Sequence, residues 1–411
     1  MSPGKTIQSG DLANSKGSLT MPPRICIIRQ RDYYELPVRR EAESLQDAGF
    51  TVDIICLQQE GHPYIEQDNG VTLYRLPLTK IKGSISRYFY DYASFFFLAA
   101  IKVTQLHLKH RYQAIQVNTM PDFLVFATLI PRLAGAKVVA FMKEPTPELG
   151  EILYQSPLIT AILKVVEQLA LKYANMSFTI TQQLKEVYIS RGANGNKIQV
   201  VLNGPDAAHL LKYVTHAKPD PAHFTLICHG AVEERYGHDT ILQGVKLAIP
   251  QIPNLRLRLL GTGSYVEKVK AMIDSLELGD YVEYLGWVSM ETMVDELCRA
   301  DVGIVAQKSS PYSNLVHTNK MYEYIILGKP AIITKLDSVY AYFDETSMTY
   351  FEPNNPQSLA DAILDLYQHP VKGQARLAKA KALYEQYGWE KQGAIFVNAY
   401  RQAVPGIKEE T

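Results

Sequence analysis

The strongest constraint in the sequence is an alternation of short apolar runs with longer amphipathic stretches, and this alternation begins twice. The first series opens with RICII at 24–28, a helical pattern at 37–48 and FTVDIICL at 50–57. Strands that alternate with helices predict βαβ units. Because the runs are continuously apolar, they predict parallel strands covered by helices on both faces. The chain is therefore predicted to be an α/β protein built on parallel sheets.

The rest of the pattern divides the chain into two such units. Further strands are predicted at 71–76, 113–117, 137–141, 176–180 and 198–202, with helices at 87–110, 121–134, 157–174 and 181–190. After a loose stretch at 206–222, the series restarts with strands at 224–228, 255–260, 281–285, 301–306 and 330–334. We predict a disordered tail at 1–22, a domain at 23–205, a linker at 206–222, a second domain at 223–385, and a helical segment at 386–411 that crosses back to the first domain. Both domains are predicted to be doubly wound and Rossmann-like, facing a central cleft.

Charge and cysteine content narrow the classes of function. The 411 residues include 42 Lys plus Arg and 42 Asp plus Glu, so no extended basic surface for nucleic acid is expected. The four cysteines are far apart and form no CxxC pair, which indicates reduced thiols and no zinc site. The longest apolar stretch, 93–101, is shorter than the ~20 residues that span a bilayer. Since residues 1–22 also lack the apolar core of a signal peptide, a cytoplasmic protein is expected.

The loops after the strands of the second domain are the first place to look for a ligand site, because open α/β sheets bind small molecules at the carboxyl ends of their strands. Gly230 follows the first strand and allows close approach of backbone to a ligand, and Arg235 offers a fork that matches a diphosphate. Gly261 and Gly263 follow the next strand, although two glycines alone are a weak signal. Trp287 and Val288 follow the third strand, where a base can lie against backbone.

The fourth loop, at 308–318, is long and polar and leads into a helix. Thr318 is a suitable N-cap residue, and a helix start that carries Asn319 and Lys320 favours a diphosphate. Glu323 lies one turn further, where a carboxylate can accept hydrogen bonds from ribose hydroxyls. Each residue taken alone also has a structural explanation. Glu323 can simply interact favourably with the N-terminal end of the helix dipole, and Lys320 can be a solvated surface lysine.

Taken together, these residues carry a resemblance to the family 4 retaining glycosyltransferases, whose fold is GT-B. The stretches that resemble the donor-binding half of the family are HGAVEERYGHDTILQGV at 229–245, LRLLGTGSYVEKV at 257–269, YVEYLGWVSMETMVDEL at 281–297, ADVGIVAQ at 300–307 and TNKMYEYIILGKPAIIT at 318–334. In the first domain, ELPVRREAESLQDAGFTVDIICL at 35–57 and PDFLVFATLIPRLAGAKVV at 121–139 are similar to the family's opening and middle. The resemblance covers almost all of 24–400.

The resemblance implies the roles of individual residues in donor binding. Glu323 takes the place of the family's ribose-binding glutamate. The family's phosphate-binding Arg and Lys are replaced by Ala231 and Tyr236, so Arg235 and Lys320 are the nearby cations that compensate. Leu315 stands where the family has a second glutamate, which leaves backbone amides near Leu315 and Val316 to hold the sugar. The expected donor-binding residues are Gly230, Arg235, Gly261, Gly263, Trp287, Val288, Leu315, Val316, His317, Thr318, Asn319, Lys320 and Glu323.

The resemblance also implies the reaction, which is sugar transfer from a nucleotide diphosphate donor with retention of anomeric configuration. Arg235 and Lys320 are expected to stabilise the departing diphosphate without a metal ion, and no DxD-like pair stands in a suitable loop. The family often has a histidine near the reacting carbon. Here Glu144 or Lys143 occupies that place, and the candidate catalytic residues are Arg235, Lys320 and Glu144. One alternative is that Lys143 is an ordinary surface lysine. Another is that the site is altered and neither residue replaces the histidine.

The acceptor is expected to meet the first domain. Arg29, Arg31 and Asp32 follow its first strand and are the candidate acceptor-binding residues. Segment 79–111 carries six Lys or Arg and one acid around an aromatic stretch, which favours peripheral contact with the inner face of a membrane and a lipid-linked acceptor. The alternative is a core helix with a basic outer face, and the other acceptor class is a soluble saccharide. Polysaccharide or glycoconjugate biosynthesis is the expected context.

Two further functions stay open from the sequence. The missing glutamate and histidine favour a non-catalytic scaffold that binds a nucleotide sugar or partners a glycosyltransferase. A nucleotide-sugar epimerase of the same fold needs an acid and a base beside the sugar. A dehydrogenase is disfavoured, because RQRDYYEL follows the first strand in place of GxGxxG.

Overall fold

The computed structural model describes residues 22–33, 36–79 and 85–404 of the chain. The predicted tail therefore lies outside the described residues up to position 21, as does the end of segment 386–411 beyond position 404. Lys80 and Lys82 of the predicted membrane segment also lie outside them, and the Arg87 side chain is not described.

The first domain is an eight-stranded sheet. Its strands are β1 (Arg24–Arg29), β2 (Thr51–Leu57), β3 (Ile65–Asp68), β4 (Val71–Leu76), β5 (Ala114–Asn118), β6 (Lys137–Met142), β7 (Met176–Thr179) and β8 (Ile198–Val200). They lie in the order β3-β4-β2-β1-β5-β6-β7-β8, all parallel except β3. The helices are α1 (Leu36–Asp47), α2 (Ile85–His110), α3 (Leu129–Leu133), α4 (Thr146–Tyr154), α5 (Pro157–Tyr173) and α6 (Gln182–Ser190).

The second domain follows α7 (Ala207–Leu211) and is a six-stranded parallel sheet. Its strands are β9 (Phe224–His229), β10 (Leu255–Leu260), β11 (Val282–Gly286), β12 (Val302–Val305), β13 (Ala331–Thr334) and β14 (Thr349–Phe351), in the order β11-β10-β9-β12-β13-β14. Its helices are α8 (His238–Ala248), α9 (Val266–Ser275), α10 (Met290–Arg299), α11 (Asn319–Ile326), α12 (Asp337–Tyr340), α13 (Pro356–Gln368) and α14 (Pro370–Tyr387), and the chain then continues into α15 (Trp389–Ala403). Two parallel-sheet α/β domains confirm the predicted fold class. In each sheet the strand order reverses beside the first strand, β1 or β9, and ligands bind at such points.

The structure corrects three details of the predicted elements. The helix predicted at 121–134 is instead a 3-10 segment, Asp122–Thr128, followed by the short α3. Pro131 explains the interruption, because in one continuous helix it removes a backbone hydrogen bond and its ring clashes with the preceding turn. The linker is not wholly irregular, since it contains α7, which Asp206 caps by accepting from Ala208 N at 2.9 Å. Strand β3 was not predicted, because its four residues, IEQD, are largely polar.

The segment predicted to return to the first domain, 386–411, contains α15. Phe396 of α15 is fully buried in the core of the first domain, with its ring centroid 5.0 Å from that of Phe178. Tyr400 OH donates to Gln116 Oε1 at 2.5 Å. The last of the described helices is therefore a structural part of the first domain. None of the described helices is both long enough and apolar enough to span a membrane.

Candidate functional site

A cavity of about 270 Å³ lies in the cleft between the domains. The first domain lines it with side chains at or just beyond the carboxyl ends of β1 and β6, among them Arg29, Arg31 and Glu144. The second domain contributes Val316 and His317 from the loop before α11. Two of the three predicted acceptor residues and two predicted donor residues therefore share this cavity.

Glycines interlock three loops of the second domain. Gly230 and Gly261 follow β9 and β10 and have φ values of +101° and +128°. A β-carbon at Gly261 would lie 1.7 Å from the carbonyl oxygen of Gly230, and one at Gly263 would lie 2.1 Å from that of Val232. The backbone N of Gly261 also donates to the carbonyl of Gly286 at 2.6 Å. Gly261 and Gly263 are thus required by packing between the loops themselves.

The two cations predicted to hold the diphosphate lie beside these loops. Lys320 is in the first turn of α11 and passes over Gly230, where an added β-carbon would lie 2.6 Å from Lys320 Cε. Lys320 Nζ lies 4.3 Å from the ring centroid of Tyr236, and the guanidinium carbon of Arg235 lies 4.9 Å from it. Within the part of the chain that the structure describes, neither cation is paired with a carboxylate, and Arg235 Nε is buried without a hydrogen-bond partner. Both charges are available to an anion.

Glu323 lies one turn further along α11 and is held by a residue that the sequence analysis did not single out. Its Oε2 lies 2.5 Å from Nε2 of His229, the last residue of β9. The other ring nitrogen lies 3.1 Å from Tyr324 OH. Because His229 is buried, this contact fixes the Glu323 carboxylate at the carboxyl end of the sheet. The available signal for His229 was its position immediately before Gly230.

The loop before α11 reaches into the first domain. Leu315 and Val316 are buried in the core of that domain, and Thr181 Oγ1 donates to the Leu315 carbonyl at 2.6 Å. The Leu315 N–H donates to Tyr312 O at 3.0 Å. Of the backbone amides predicted to hold the sugar, that of Leu315 is therefore already occupied.

His317 and Thr318, two of the predicted donor-binding residues, end this loop. Burial lowers the pKa of His317 to about 4, so its ring is neutral near pH 7. One ring nitrogen lies 2.9 Å from Tyr322 OH and the other contacts the carbonyl of Ser338. Thr318 occupies the N-cap position of α11, but its side chain makes no capping hydrogen bond. His317 therefore positions the loop from a half-buried site at the edge of the cavity.

Glu144 forms a bridge between the domains. Tyr312 OH donates to Glu144 Oε2 at 2.6 Å. Burial raises the pKa of Glu144, while the hydrogen bond from Tyr312 and the charges of Arg31, Arg235 and Arg29 act to lower it. The structure thus brings the candidate catalytic carboxylate, the candidate acceptor arginines and the candidate diphosphate arginine into one electrostatic cluster.

Lys143 is not an ordinary surface lysine. It is buried and forms an ion pair with Glu41, which lies in α1. The same carboxylate accepts hydrogen bonds from Gln116 Nε2 at 2.7 Å and Asn118 Nδ2 at 2.9 Å. Burial lowers the pKa of Lys143 to about 8, and Glu41 opposes that shift. Lys143 lines the cleft cavity, so it places a positive charge there that is lost in mildly alkaline solution.

The remaining predicted residues lie at the margins of the site. Trp287 is 75% exposed, whereas Val288 is half-buried. Asn319 and Glu323 line a smaller cavity of about 70 Å³ beside α1, and Asp32 does not line the cleft cavity. Among the described residues, no group of three or more His, Cys, Asp or Glu side chains has an arrangement that could hold a metal ion.

Two family models match the chain, one on each domain. A model of group 1 glycosyl transferases matches residues 223–369, and a model of the glycosyl transferase 4-like domain matches residues 36–204. The chain therefore belongs to the group 1 glycosyltransferases of GT-B fold. Among curated proteins it is similar to an exopolysaccharide phosphotransferase of Streptomyces coelicolor, at 29% identity over 154 residues. That match covers 36% of this chain and only 14% of the relative.

Solved structures share the fold over nearly the whole chain. The sucrose-phosphate synthase of Thermosynechococcus elongatus has a TM-score of 0.72 and 19% identity, over 92% of this chain and 98% of that one. Anabaena HepE in complex with UDP has a TM-score of 0.68 and 15% identity, over 92% and 100%. A trehalose-phosphate synthase of Burkholderia xenovorans has a TM-score of 0.69 and 14% identity, over 94% and 99%. At these identities the likeness shows the fold.

Proposed function

We propose that the chain is a retaining glycosyltransferase of family 4 that takes a sugar from a nucleotide diphosphate donor. The observation that carries the proposal is the position of Lys320 and Arg235. Both cations lack a carboxylate partner in the described chain, and Lys320 lies over Gly230 at the start of α11. A helix N-terminus with two such cations is suited to a diphosphate. The 15%-identical HepE carries UDP-glucose in one of its structures, which makes uridine diphosphate sugars the first donors to test.

In the proposed reaction, the bond from the anomeric carbon to the diphosphate breaks while the acceptor hydroxyl oxygen bonds to that carbon on the same face, and the hydroxyl proton passes to the departing diphosphate oxygen. Negative charge grows on the diphosphate, and Lys320 and Arg235 stabilise it in place of a metal ion. Glu323, already fixed by His229, accepts hydrogen bonds from the ribose. Gly230, Trp287 and Val288 provide the surface for the nucleoside. Glu144 faces the reacting carbon from the opposite wall of the cleft, and metal independence is part of the proposal.

The acceptor is proposed to be a saccharide or a lipid-linked saccharide held by Arg29, Arg31 and Asp32. Segment 79–111 is proposed as a peripheral contact with the inner face of a membrane, in the course of polysaccharide or glycoconjugate biosynthesis. Tyr90, Phe97 and Ile101 in this segment are exposed, which supports such a contact.

A donor panel tests the proposal. The chain is incubated with UDP-, GDP-, ADP- and TDP-sugars, and thermal shift identifies the donor because a tight ligand stabilises the folded state. Release of the nucleotide is then measured with and without chelator, and proton coupling constants give the anomeric configuration of the product. Stabilisation without nucleotide release from any sugar would contradict the enzyme proposal and favour a binding scaffold, for which the replacement of a glutamate by Leu315 is the specific argument. Product that forms without any acceptor would instead identify an epimerase.

A further inference from the structure

Helix α5 is amphipathic in the opposite sense to an ordinary surface helix. Leu158, Ile162, Val165 and Leu169 recur at helical spacing and are all more than half exposed, with Leu158 at 71%. The buried side of the same helix is partly polar, because Thr160 and Glu167 point inward. Glu167 pairs there with Arg191 at 2.9 Å. The apolar stripe of α5 is therefore turned outward by a buried ion pair that holds the polar side.

Neighbouring helices extend this outward stripe. Helices α2, α3, α4 and α5 all connect parallel strands that advance in one direction across the sheet, so right-handed crossovers place them on one face of it. On α3, Leu129, Ile130 and Leu133 are exposed, the last at 81%. Ile152 and Leu153 are exposed at the end of α4, which packs against α5. We call this surface of α3, α4 and α5, with α2 along one edge, the α5 face.

The described charges of helices α2 to α5 are mainly positive. Two acids of these helices, Glu148 and Glu167, are buried against Arg191. The other described charged side chains of α2 to α5 are five cations and two acids. The cations are Lys102, Lys109, Arg132, Lys164 and Lys172, and the acids are Asp91 and Glu151. Exposed aliphatic side chains with a basic surround fit the interfacial region of a bilayer that contains anionic lipid. A second copy of the chain fits less well, because a twofold contact brings the same cations face to face.

We propose that the α5 face docks on an anionic lipid bilayer, with the α5 stripe as its centre. This goes beyond the proposed sugar transfer, and it extends the membrane contact proposed for segment 79–111 to α3, α4 and α5, which lie outside that segment. Helix α4 begins two residues after Glu144, so a bilayer at this face lies next to the acceptor side of the cleft. The partner is identified by its chemistry, as a lipid surface with negative head groups.

Vesicle flotation of the full chain tests this proposal without reference to catalysis. The probes are phosphatidylcholine vesicles with and without phosphatidylglycerol. We expect the chain to float with the anionic vesicles and expect added salt to weaken that binding. The double variant Ile162→Glu, Val165→Glu is expected to reduce the bound fraction at least about tenfold, because it places two charges in the apolar stripe. The double variant Lys164→Glu, Lys172→Glu is expected to reduce binding to anionic vesicles.

Val371→Glu is the matched control, because Val371 is an equally apolar side chain, 81% exposed, on α14 of the other domain. It is expected to bind vesicles as the wild type does. All the substituted positions are exposed, so unchanged melting temperatures are expected and serve as the folding control. The proposal is overturned if the wild type fails to float, or if Ile162→Glu, Val165→Glu floats normally. It is also overturned if sedimentation shows that this variant abolishes self-association of the wild type in the absence of lipid.

Discussion

At the residue scale, the site depends on two cations that interact with rings and backbone instead of carboxylates. Lys320 lies over Gly230 and beside Tyr236, and Arg235 shares that ring. An ordinary surface lysine such as Lys335 is instead paired with a carboxylate, Glu345, at 3.1 Å. The difference supports the proposal that Lys320 and Arg235 bind the diphosphate.

Lys320→Ala and Arg235→Ala are each expected to slow transfer by about 10²–10³-fold, because each removes a charge that is proposed to stabilise the leaving diphosphate. The measurement is kcat with the donor found in the panel. Lys335→Ala is the control and should leave kcat unchanged. Full activity of both site variants combined with complete loss on chelation would refute the metal-independent mechanism.

Lys143 gives the cleft a predicted pH dependence. Its ammonium is charged below its pKa of about 8 and neutral above it. If that charge assists the leaving diphosphate, kcat/KM falls as the pH rises through about 8. Lys143→Met removes the titrating group and is expected to be slower at pH 7 and to lack the alkaline fall. If kcat/KM of Lys143→Met still falls above about pH 8 as in the wild type, the fall belongs to another titrating group.

Sequence reasoning predicted the charged residues of the candidate site but not the residues that support them. Lys320, Arg235 and Glu323 stand in loops after strands, where residue type and position are enough to indicate a ligand. The partners of Glu323 and Lys143 are 94 and 102 residues away in the chain. The contacts of Glu323 with His229 and of Lys143 with Glu41 depend on how strands and helices pack together, and no local sequence pattern encodes that packing.

At the scale of elements, the donor side is a set of interlocked loops. The loops after β9, β10 and β11 approach so closely that Gly261 has no room for a β-carbon against the backbone of Gly230. At Gly230 the nearest atoms belong to the flexible side chain of Lys320. The two glycines therefore have different roles, although they look alike in the sequence.

Gly261→Ala and Gly230→Ala are expected to separate these roles. Gly261→Ala forces two backbones apart and should lower the melting temperature strongly, since its φ of +128° is also unfavourable for alanine. Gly230→Ala should displace Lys320 and raise the KM for the donor with a smaller loss of stability. Thermal unfolding and donor titration measure the two effects. A normal melting temperature for Gly261→Ala would show that the loops are not interlocked.

Most elements followed from sequence pattern because their cores are apolar and periodic. The strands at 24–29 and 224–229 are almost wholly buried, and the predicted bounds lie within one residue of these. The elements that escaped have mixed composition. Strand β3 is half-exposed and polar, and α4 begins directly after Pro145, where a turn is an equally good local reading.

At the scale of the whole molecule, buried histidines link stability to acidity. Burial lowers the pKa of His317 from its ordinary 6.5 to about 4. Between these values the unfolded chain binds a proton that the folded chain does not. Stability therefore falls as the pH falls from 6.5 to 4, by about 3 kcal/mol from this residue alone.

Urea unfolding at several pH values tests this linkage. His317→Gln is expected to have a flatter loss of stability between pH 6.5 and 4 than the wild type. His216→Gln, at an exposed position, is the control and should keep the wild-type slope. Equal slopes in all three proteins would refute the role of His317.

Helix α15 also completes the core of the first domain, although it follows the second domain in the chain. Phe396 is fully buried and packs against Phe141, Phe178 and Tyr400. Phe396→Ala is expected to lower the free energy of unfolding by about 3–5 kcal/mol, mostly in the first domain. Val371→Ala, at an exposed site, should change it little. Unfolding followed by tryptophan fluorescence measures both, since Trp389 lies next to Phe396.

The position of α15 has a consequence for synthesis of the protein on the ribosome. Domains usually acquire their structure in the order in which they are translated. Here residues 389–403 emerge only after the entire second domain, yet they cover aromatic side chains of the first. During translation Phe141 and Phe178 therefore remain uncovered for the time needed to make about half of the chain. The nascent first domain is expected to be a client of chaperones until its last helix arrives.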